Sequence, residues 1–227
     1  MKSYRSEHPN HVHRLTVSAS KHYYITKDGR LKYQHKPMEI RLDTLEHSDR
    51  THVVHYIIRD HFSGLFYSEI AASTSLPPVE HFLNRAWDRK DGYVFCGIPK
   101  LLTVPQRVEA VFPTVKTSVS ALGVEVVEVT SGFQGGVRDV RTVEDWLKLF
   151  HDCPMGVASL RARQIAQIMG EKKSRNGVDD KASLWTKYVP ELRVPYKEWG
   201  YECNSPEGVV RDHAYVSSRG NRFLDQT

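Results

Sequence analysis

The sequence has little cysteine and no long apolar run, and each shortage excludes a class of protein. Three cysteines occur among 227 residues and no two form a CxxC pair, which argues against a disulfide framework and a zinc knuckle. No segment approaches the roughly 20 apolar residues that a membrane-spanning helix needs. The N-terminal sequence has no apolar core and does not resemble a signal peptide. We therefore expect a cytoplasmic protein without a membrane partner.

Acidic side chains are missing from the end of Pro99–Val108, a stretch typical of a short buried strand followed by a turn. The strand ends in Thr103, Val104, Pro105 and Gln106. Sites that hold divalent cations for phosphoryl transfer need carboxylates. This strand end therefore supplies no ligand for such a site.

The overall composition is that of a basic globular protein. Hydrophobic residues make up 40% of the chain and charged residues 26%, which are ordinary values for a folded domain. The length of 227 residues allows one large domain, or a domain with an extension. The net charge of +5 permits binding to nucleic acid but does not require it.

The first part of the chain predicts three antiparallel strands. Alternating apolar and polar residues mark a strand from Val12 to Ile25, and Lys27–Arg30 is typical of an Asp-Gly turn. His52–Arg59 and Leu65–Ile70 are β-prone runs joined by a short loop that contains glycine, which predicts a hairpin. Arg41–Glu46 is a weaker strand or a loop.

Helices and strands alternate in the next part of the chain. The predicted elements are a helix after Pro78, a strand at Leu101–Val104, a helix at Val111–Leu122 and a strand at Val124–Val129. A glycine-rich loop, Ser131–Gly136, leads to a last helix, whose start is indicated by a capping box of Thr142 with Asp145. An apolar stripe on that helix is predicted to face the core: Val143, Trp146, Leu147 and Phe150. Three strands followed by alternating helices and strands predict a mixed sheet flanked by helices.

We divide the chain into a flexible N-terminus at residues 1–10, a core at 11–152 and a C-terminal extension at 153–227. The extension is predicted to hold a basic helix at Ser159–Arg175 and short strands at Tyr215–Val216 and Arg222–Phe223. The densest positive run of the chain lies on that helix: Arg161, Arg163, Lys172, Lys173 and Arg175. These side chains form either a solvated face or a set of phosphate contacts.

Histidine and cysteine offer no recognisable metal site in the sequence. His11 and His13 share one face of a strand, whereas His52 and His55 point to opposite faces. No cysteine or acid completes a ligand set beside them. We expect surface or turn histidines, no bound metal, and a buried or inert thiol at Cys96.

Four segments carry a resemblance to a known family. They are Pro9–His13, Ile57–Gly64, Gly97–Leu102 and Leu122–Val126. In this order they resemble the catalytic core of DDE transposases and retroviral-type integrases, over roughly residues 9–150. The resemblance implies an α/β, ribonuclease-H-like fold, in which a mixed five-stranded sheet is flanked by helices and followed by a small C-terminal extension. It also implies that a homodimer is plausible, because members of this family often act as multimers.

The resemblance implies three carboxylates that bind two divalent cations, usually magnesium. The three carboxylate positions of the family, carried over one by one, fall on Thr16, Pro105 and Arg141. If the register slips by one residue, Val104 replaces Pro105. Arg138 is the alternative to Arg141. A threonine, a proline and an arginine cannot hold a pair of cations, and an arginine would add positive charge. We therefore expect no intact catalytic triad and no cofactor.

Three functions follow from these observations. The preferred hypothesis is a catalytically inactive integrase-like protein, descended from a mobile element, that binds DNA or a protein partner. The second is an active metal-dependent nuclease or DNA strand-transferase that uses magnesium or manganese on displaced acids, namely Asp43, Asp60 and Glu144. Asp60 also has a simpler explanation, an Asx-type bond within its own turn. The third is a protein-interaction module without DNA binding.

Overall fold

The computed structural model describes residues 6–90, 93, 95–130, 134–148 and 152–173. Its strands are β1 Val12–Ile25, β2 Leu31–Tyr33, β3 Thr51–Asp60, β4 Phe66–Ala72, β5 Leu101–Pro105 and β6 Glu125–Val129. Its α-helices are α1 Val79–Trp87, α2 Gln106–Val111, α3 Thr114–Ser120, α4 Gln134–Leu147 and α5 Met155–Lys173. A 3-10 helix covers Leu42–His47, where the sequence predicted a weak strand or a loop.

All six strands belong to one mixed sheet, in the order β4-β3-β1-β5-β6, with β2 paired to the end of β1. Strands β2, β1, β3 and β4 pair antiparallel, whereas β1, β5 and β6 pair parallel. This arrangement, with helices on the sheet, confirms the predicted mixed α/β architecture and is consistent with a ribonuclease-H-like fold. The prediction of five strands omitted β2, which follows the turn at Gly29, where φ is +76°.

Two hydrophobic clusters cover the two faces of the sheet. One contains Leu15 and Val17 of β1 together with side chains of α1, α2 and α3. The other contains Ile57 of β3 with Val143 of α4 and Ala162 of α5. Because successive residues of a strand point to opposite faces, the intervening residue of β1 faces α4. Val143 and Leu147 are buried and Trp146 packs against the same cluster, which confirms this part of the predicted stripe, whereas Phe150 lies outside the described residues.

Helix α4 begins earlier than the sequence predicted. It starts at Gln134, so Thr142 lies inside the helix and does not cap it. The Thr142 hydroxyl donates a hydrogen bond to the Arg138 carbonyl, at 2.9 Å. A threonine side chain can bond one turn back within a helix as well as cap one, and the sequence pattern does not distinguish the two. Part of the glycine-rich segment is therefore helical.

The helix predicted at Val111–Leu122 corresponds to α3, and the short helix α2 that precedes it was not predicted. The break between them lies at Phe112 and Pro113, because a proline inside a helix removes one hydrogen bond and clashes with the preceding turn. Gly123 follows α3 with a φ of +78°, in the left-handed conformation expected after a helix end.

Helix α5 packs on the same sheet as the rest of the core. Ala158, Ala162 and Ile165 are buried against β3 and β4, and the Ser68 hydroxyl of β4 donates to the Ala162 carbonyl at 2.8 Å. Leu160, which the sequence placed on the apolar side, is 54% exposed. The alanines identify the buried face instead, because small side chains let a helix approach closely. The predicted strands at 215–223 lie outside the described residues, and the domain boundary at 152 stays a prediction.

Candidate functional site

The candidate site lies where β1, the end of β5 and the start of α4 meet. Strands β1 and β5 pair in parallel, with Val12 opposite Leu101 and Arg14 opposite Thr103. Continuing this register places Thr16 beside Pro105, at the carboxyl end of β5. The sequence-predicted positions Thr16 and Pro105 are therefore brought together at one point of the sheet.

Gly136 of α4 closes this junction from above. A Cβ atom added to Gly136 would lie 3.2 Å from Thr16 Cγ2 and 3.3 Å from Thr16 Cβ, and it would overlap the Thr16 hydroxyl. Only a residue without a side chain fits there, so the helix lies directly on the strand. No room is left at this contact for a carboxylate on either residue.

Arg141 does not join Thr16 and Pro105. Its side chain is 84% exposed and lies near Asp145 of the same helix, with Nε 3.9 Å from the carboxylate. Helical periodicity directs Gly136, Asp139 and Val143 toward the sheet, and it directs Arg138 and Arg141 outward. The structure therefore places Gly136 against Thr16, where the sequence expectation had an arginine.

The acid of α4 that lies closest in sequence to this contact is already paired. Asp139 is buried, and both of its carboxylate oxygens accept hydrogen bonds from the Arg59 guanidinium of β3. A two-point arginine–carboxylate pair is strong and directional. Arg59 therefore neutralises Asp139 and holds it toward β3.

Glu144 forms a second buried polar contact beneath α4. Its Oε1 accepts hydrogen bonds from the Ser20 hydroxyl at 2.5 Å and from His55 Nε2 at 3.1 Å. Burial raises the pKa of Glu144, but the hydrogen bond and the positive charge of His55 outweigh it, so that the net pKa is lowered. The Tyr23 hydroxyl donates to the Glu144 backbone carbonyl at 2.9 Å, which further fixes α4 on the sheet.

Asp60 caps the turn between β3 and β4. Its carboxylate accepts hydrogen bonds from the Ser63 amide and hydroxyl, both at 2.6 Å, and from the Asn10 amide at 3.0 Å. These bonds confirm the Asx-type explanation of this residue. Burial raises the pKa of Asp60, although the hydrogen bonds oppose that effect. Asp60 shares its sheet face with Ile58, the face opposite α4.

His13 lies beside Asp60, fully buried. Trp87 Nε1 donates to His13 Nδ1 at 3.1 Å, and His13 Nε2 lies 3.7 Å from Asp60 Oδ1. Burial lowers the pKa of His13 to about 3. His52 and His55 are also buried, so the expectation of surface or turn histidines is wrong for all three. An alternating strand buries whichever residues face the core, and the hydrogen bonds that make this tolerable come from distant segments.

The three displaced acids of the active-enzyme hypothesis do not lie close together. Asp43 lies on the 3-10 helix, 40% exposed and 3.3 Å from Arg41 Nη2. Asp60 and Glu144 lie on opposite faces of the sheet. Across the described ranges, no group of three or more His, Cys, Asp or Glu side chains is arranged to hold a metal ion. The β1–β5–α4 junction does not fit a pair of divalent cations, because Thr16, Pro105 and Gly136 supply no carboxylate there.

The basic residues of α5 are placed in part. Arg161 is exposed and donates to Gln164 Oε1 at 2.7 Å, whereas Arg163 Nε lies 3.4 Å from Glu69 Oε1 of β4. Lys172 and Lys173 belong to the last turn of α5, and Arg175 lies outside the described residues. Arg161 therefore presents positive charge to solvent, whereas Arg163 is partly exposed and paired with Glu69.

A buried carboxylate that the sequence did not reveal holds α1 and α5 at the edge of the sheet. Glu69 of β4 accepts two hydrogen bonds from Arg85 of α1, at 2.9 and 2.7 Å, and one from the Tyr67 hydroxyl at 2.7 Å. Arg163 of α5 approaches the same carboxylate from the other face. The pKa of Glu69 is lowered because these partners outweigh the effect of its burial.

The mixed six-stranded sheet flanked by helices is consistent with a ribonuclease-H-like architecture. No family model matches the chain. No curated protein matches it either. Within the described part of the chain, no helix is long and apolar enough to cross a bilayer.

Three solved structures with similar folds come from retroviral integrases. One is the simian T-cell lymphotropic virus intasome in complex with the PP2A regulatory subunit B56 gamma, with 12% identity and a TM-score of 0.39. That match covers 72% of this chain and 49% of the other, so the chain spans about half of its length. The HTLV-2 integrase catalytic core domain with magnesium matches in a dimeric form, at 12% identity and a TM-score of 0.36, and in a trimeric form, at 13% and 0.34. Each of these covers 70% of this chain and 85% of the other.

Proposed function

We propose that this chain is a catalytically inactive, integrase-like protein that binds DNA. The observation that carries the proposal is the packing of Gly136 against Thr16, beside Pro105. Two-metal phosphoryl transfer needs carboxylates that share two cations. At this junction Gly136 packs on the Thr16 side chain instead, and Pro105 ends the neighbouring strand.

The acids near the junction are committed to other partners. Asp139 is neutralised by Arg59, and Glu144 accepts hydrogen bonds from Ser20 and His55. Freeing either carboxylate for a cation would leave the partly buried Arg59 without its counter-charge, or the buried Ser20 and His55 without an acceptor. Such a loss costs on the order of 1–3 kcal/mol. The arrangement therefore favours a structural role for both acids.

The DNA-binding part of the proposal is supported by charge. The chain carries a net charge of +5, and α5 carries the exposed side chains of Arg161 and Arg163. The Arg161 guanidinium donates a hydrogen bond to Gln164 Oε1, and the Arg163 guanidinium lies beside Glu69. Arginine also binds phosphate oxygens through two N–H groups at once.

The catalytic half of the proposal is tested by a nicking assay on supercoiled plasmid with the full-length protein, in magnesium and then in manganese. We expect no nicking in either metal. Metal-dependent nicking that disappears in an Asp60→Asn variant would establish the active-enzyme alternative and overturn this half. A nicking activity that Asp60→Asn leaves unchanged would indicate a contaminating nuclease. The assay would then be repeated on protein purified from that contaminant, with no nicking expected.

The binding half is tested by fluorescence anisotropy on labelled DNA, with Arg161→Glu compared with Lys100→Glu. Both residues are exposed and both substitutions change the net charge equally, but Lys100 lies at the start of β5. We expect Arg161→Glu to weaken duplex binding. The slope of log K against log salt concentration should become less steep by roughly 0.9, the value for the loss of one phosphate contact. No binding of any DNA at low salt would overturn the proposal. A stable protein complex formed without DNA affinity would favour the interaction-module hypothesis.

A further inference from the structure

We infer that the β1–β2 hairpin carries a binding surface for single-stranded DNA, formed by Lys21, His22, Tyr33, His35 and Lys36. This inference rests on the proposed DNA binding and adds the place and the form of the nucleic acid. We call these five residues the hairpin surface.

The hairpin surface lies at the carboxyl end of the parallel strands. Strand β1 pairs with β5 only over Val12–Arg14 and then continues to Ile25, beyond the end of β5. Its last residues pair with β2, with Tyr23 opposite Tyr33. The hairpin therefore projects from the end of the sheet on which the β1–β5–α4 junction also lies.

Positive charge is concentrated on this hairpin. Residues 21–36 contain five lysines and arginines and only one acid, Asp28. Arg30 and Lys32 are paired with Asp152, at 3.2 and 2.8 Å. Lys21 and Lys36 are exposed, and neither forms an ion pair with any of the described residues. These two ammonium groups are available to phosphates.

Aromatic rings lie next to the two lysines along the hairpin, in a fixed arrangement. The His22 and Tyr33 rings stack with their centroids 5.8 Å apart, and His35 meets the edge of Tyr33 at 5.2 Å. Tyr33 in turn packs on buried Tyr23, with centroids 5.2 Å apart. The ring cluster is thereby held by the core, while His35 at its outer side is exposed.

A cation that directly follows α4 lies beside the surface. Lys148 Nζ lies 5.7 Å from the centroid of the Tyr33 ring. The nearby acid Asp145 is paired with the same lysine at 2.8 Å, which reduces its repulsion of a phosphate. The hairpin surface thus combines a supported ring cluster with flanking positive charge.

Rings beside a row of cations fit an unpaired strand better than a duplex. In a duplex the base faces are stacked on one another and cannot reach a protein ring, whereas an unpaired base can stack on it. Lys21 and Lys36, at the open end of the hairpin, and Lys148, beside the Tyr33 ring, can contact the phosphates next to a stacked base.

The inference is tested with the full-length protein and three labelled ligands of equal length: oligo-dT, an abasic deoxyribose-phosphate oligomer, and a duplex. The wild-type protein is compared with Lys36→Glu and with the charge-matched Lys100→Glu, at the opposite end of β1 and β5. We expect oligo-dT to bind about tenfold tighter than the abasic oligomer, the ratio expected for one stacked base. We expect Lys36→Glu to weaken oligo-dT binding and to lower its salt slope by about 0.7, with a smaller change in Lys100→Glu.

The outcomes separate this inference from the proposed function. Equal binding of oligo-dT and the abasic oligomer would overturn the stacking role, and equal effects of Lys36→Glu and Lys100→Glu would overturn the location. In both cases duplex binding sensitive to Arg161→Glu would leave the proposed function standing. Absence of binding to all three ligands would overturn both.

Discussion

Gly136 of α4 packs on the side chain of Thr16 in the central strand, so closely that a methyl group at position 136 would overlap the Thr16 hydroxyl. This contact sets the distance between the helix and the sheet. It also fixes the rotation of α4 about its own axis. Because Gly136 faces the strand, Arg138 and Arg141 point outward and do not lie at the end of β5.

We predict that Gly136→Ala destabilises the protein by about 1–3 kcal/mol, because the added methyl group forces α4 away from Thr16. The measurement is urea denaturation followed by circular dichroism. Gly156→Ala is the matched control, since a Cβ atom at Gly156 meets nothing within 4 Å. Alanine lowers the backbone entropy of the unfolded chain. That variant should therefore be as stable as wild type or about 0.4–1 kcal/mol more stable.

A double-mutant cycle with Thr16→Ala tests the contact itself. Removing the Thr16 hydroxyl and methyl group makes room for the methyl group at 136, so the double variant should lose less stability than the sum of the two single losses. Strict additivity would show that the effect of Gly136→Ala does not arise from this contact.

We predict that divalent cations do not stabilise the protein. A ligand that binds only the folded state raises the melting temperature with concentration. Thr16 and Pro105 offer no carboxylate that could hold a cation. Addition of roughly 10 mM magnesium, manganese or EDTA should therefore leave the thermal midpoint of unfolding unchanged within about 1 °C. A midpoint that rises with metal concentration and falls again in EDTA would contradict the assignment of the junction.

We predict that His13 makes the protein less stable in acid. Its pKa is about 3 in the folded protein against an ordinary value of 6.5, so between these pH values the unfolded chain binds a proton that the folded chain does not. The free energy of unfolding therefore falls as the pH falls from about 6.5 to about 3. The raised pKa of neighbouring Asp60 acts in the opposite direction, since the folded protein takes up that proton first.

His13→Gln isolates this contribution, because glutamine retains an acceptor for the Trp87 indole but does not titrate. His52 and His61, whose pKa values burial also lowers, are common to both proteins. Between pH 7 and pH 4 the urea midpoint of the variant should fall less than that of the wild type. Parallel pH profiles would show that His13 remains uncharged in both states or charges in both.

We predict that Glu69→Gln costs about 2 kcal/mol, because it leaves the Arg85 guanidinium, 30% exposed, without its counter-charge and weakens the contact of Arg163 with the edge of the sheet. Asp43→Asn is the control, since Asp43 and Arg41 form a surface pair whose loss should change stability by less than about 1 kcal/mol. Equal small losses in the two variants would show that Glu69 does not hold α1 and α5 together.

The sequence by itself determined the strands and the turn chemistry. Alternation placed β1, β-prone runs placed β3 and β4, and the turn after β3 indicated an Asx-type bond at Asp60, which Ser63 supplies. These features depend on neighbours within a few residues, which the sequence displays directly.

The tertiary structure alone decided which residues meet across the sheet. The start and phase of α4 are set by its packing on β1 and β3, so the position facing Thr16 is Gly136 and not Arg141. The partners of Glu69 come from helices on opposite faces, and no local pattern encodes a meeting of that kind. Contacts between segments distant in sequence depend on how whole elements pack, and packing is a property of all the buried side chains together.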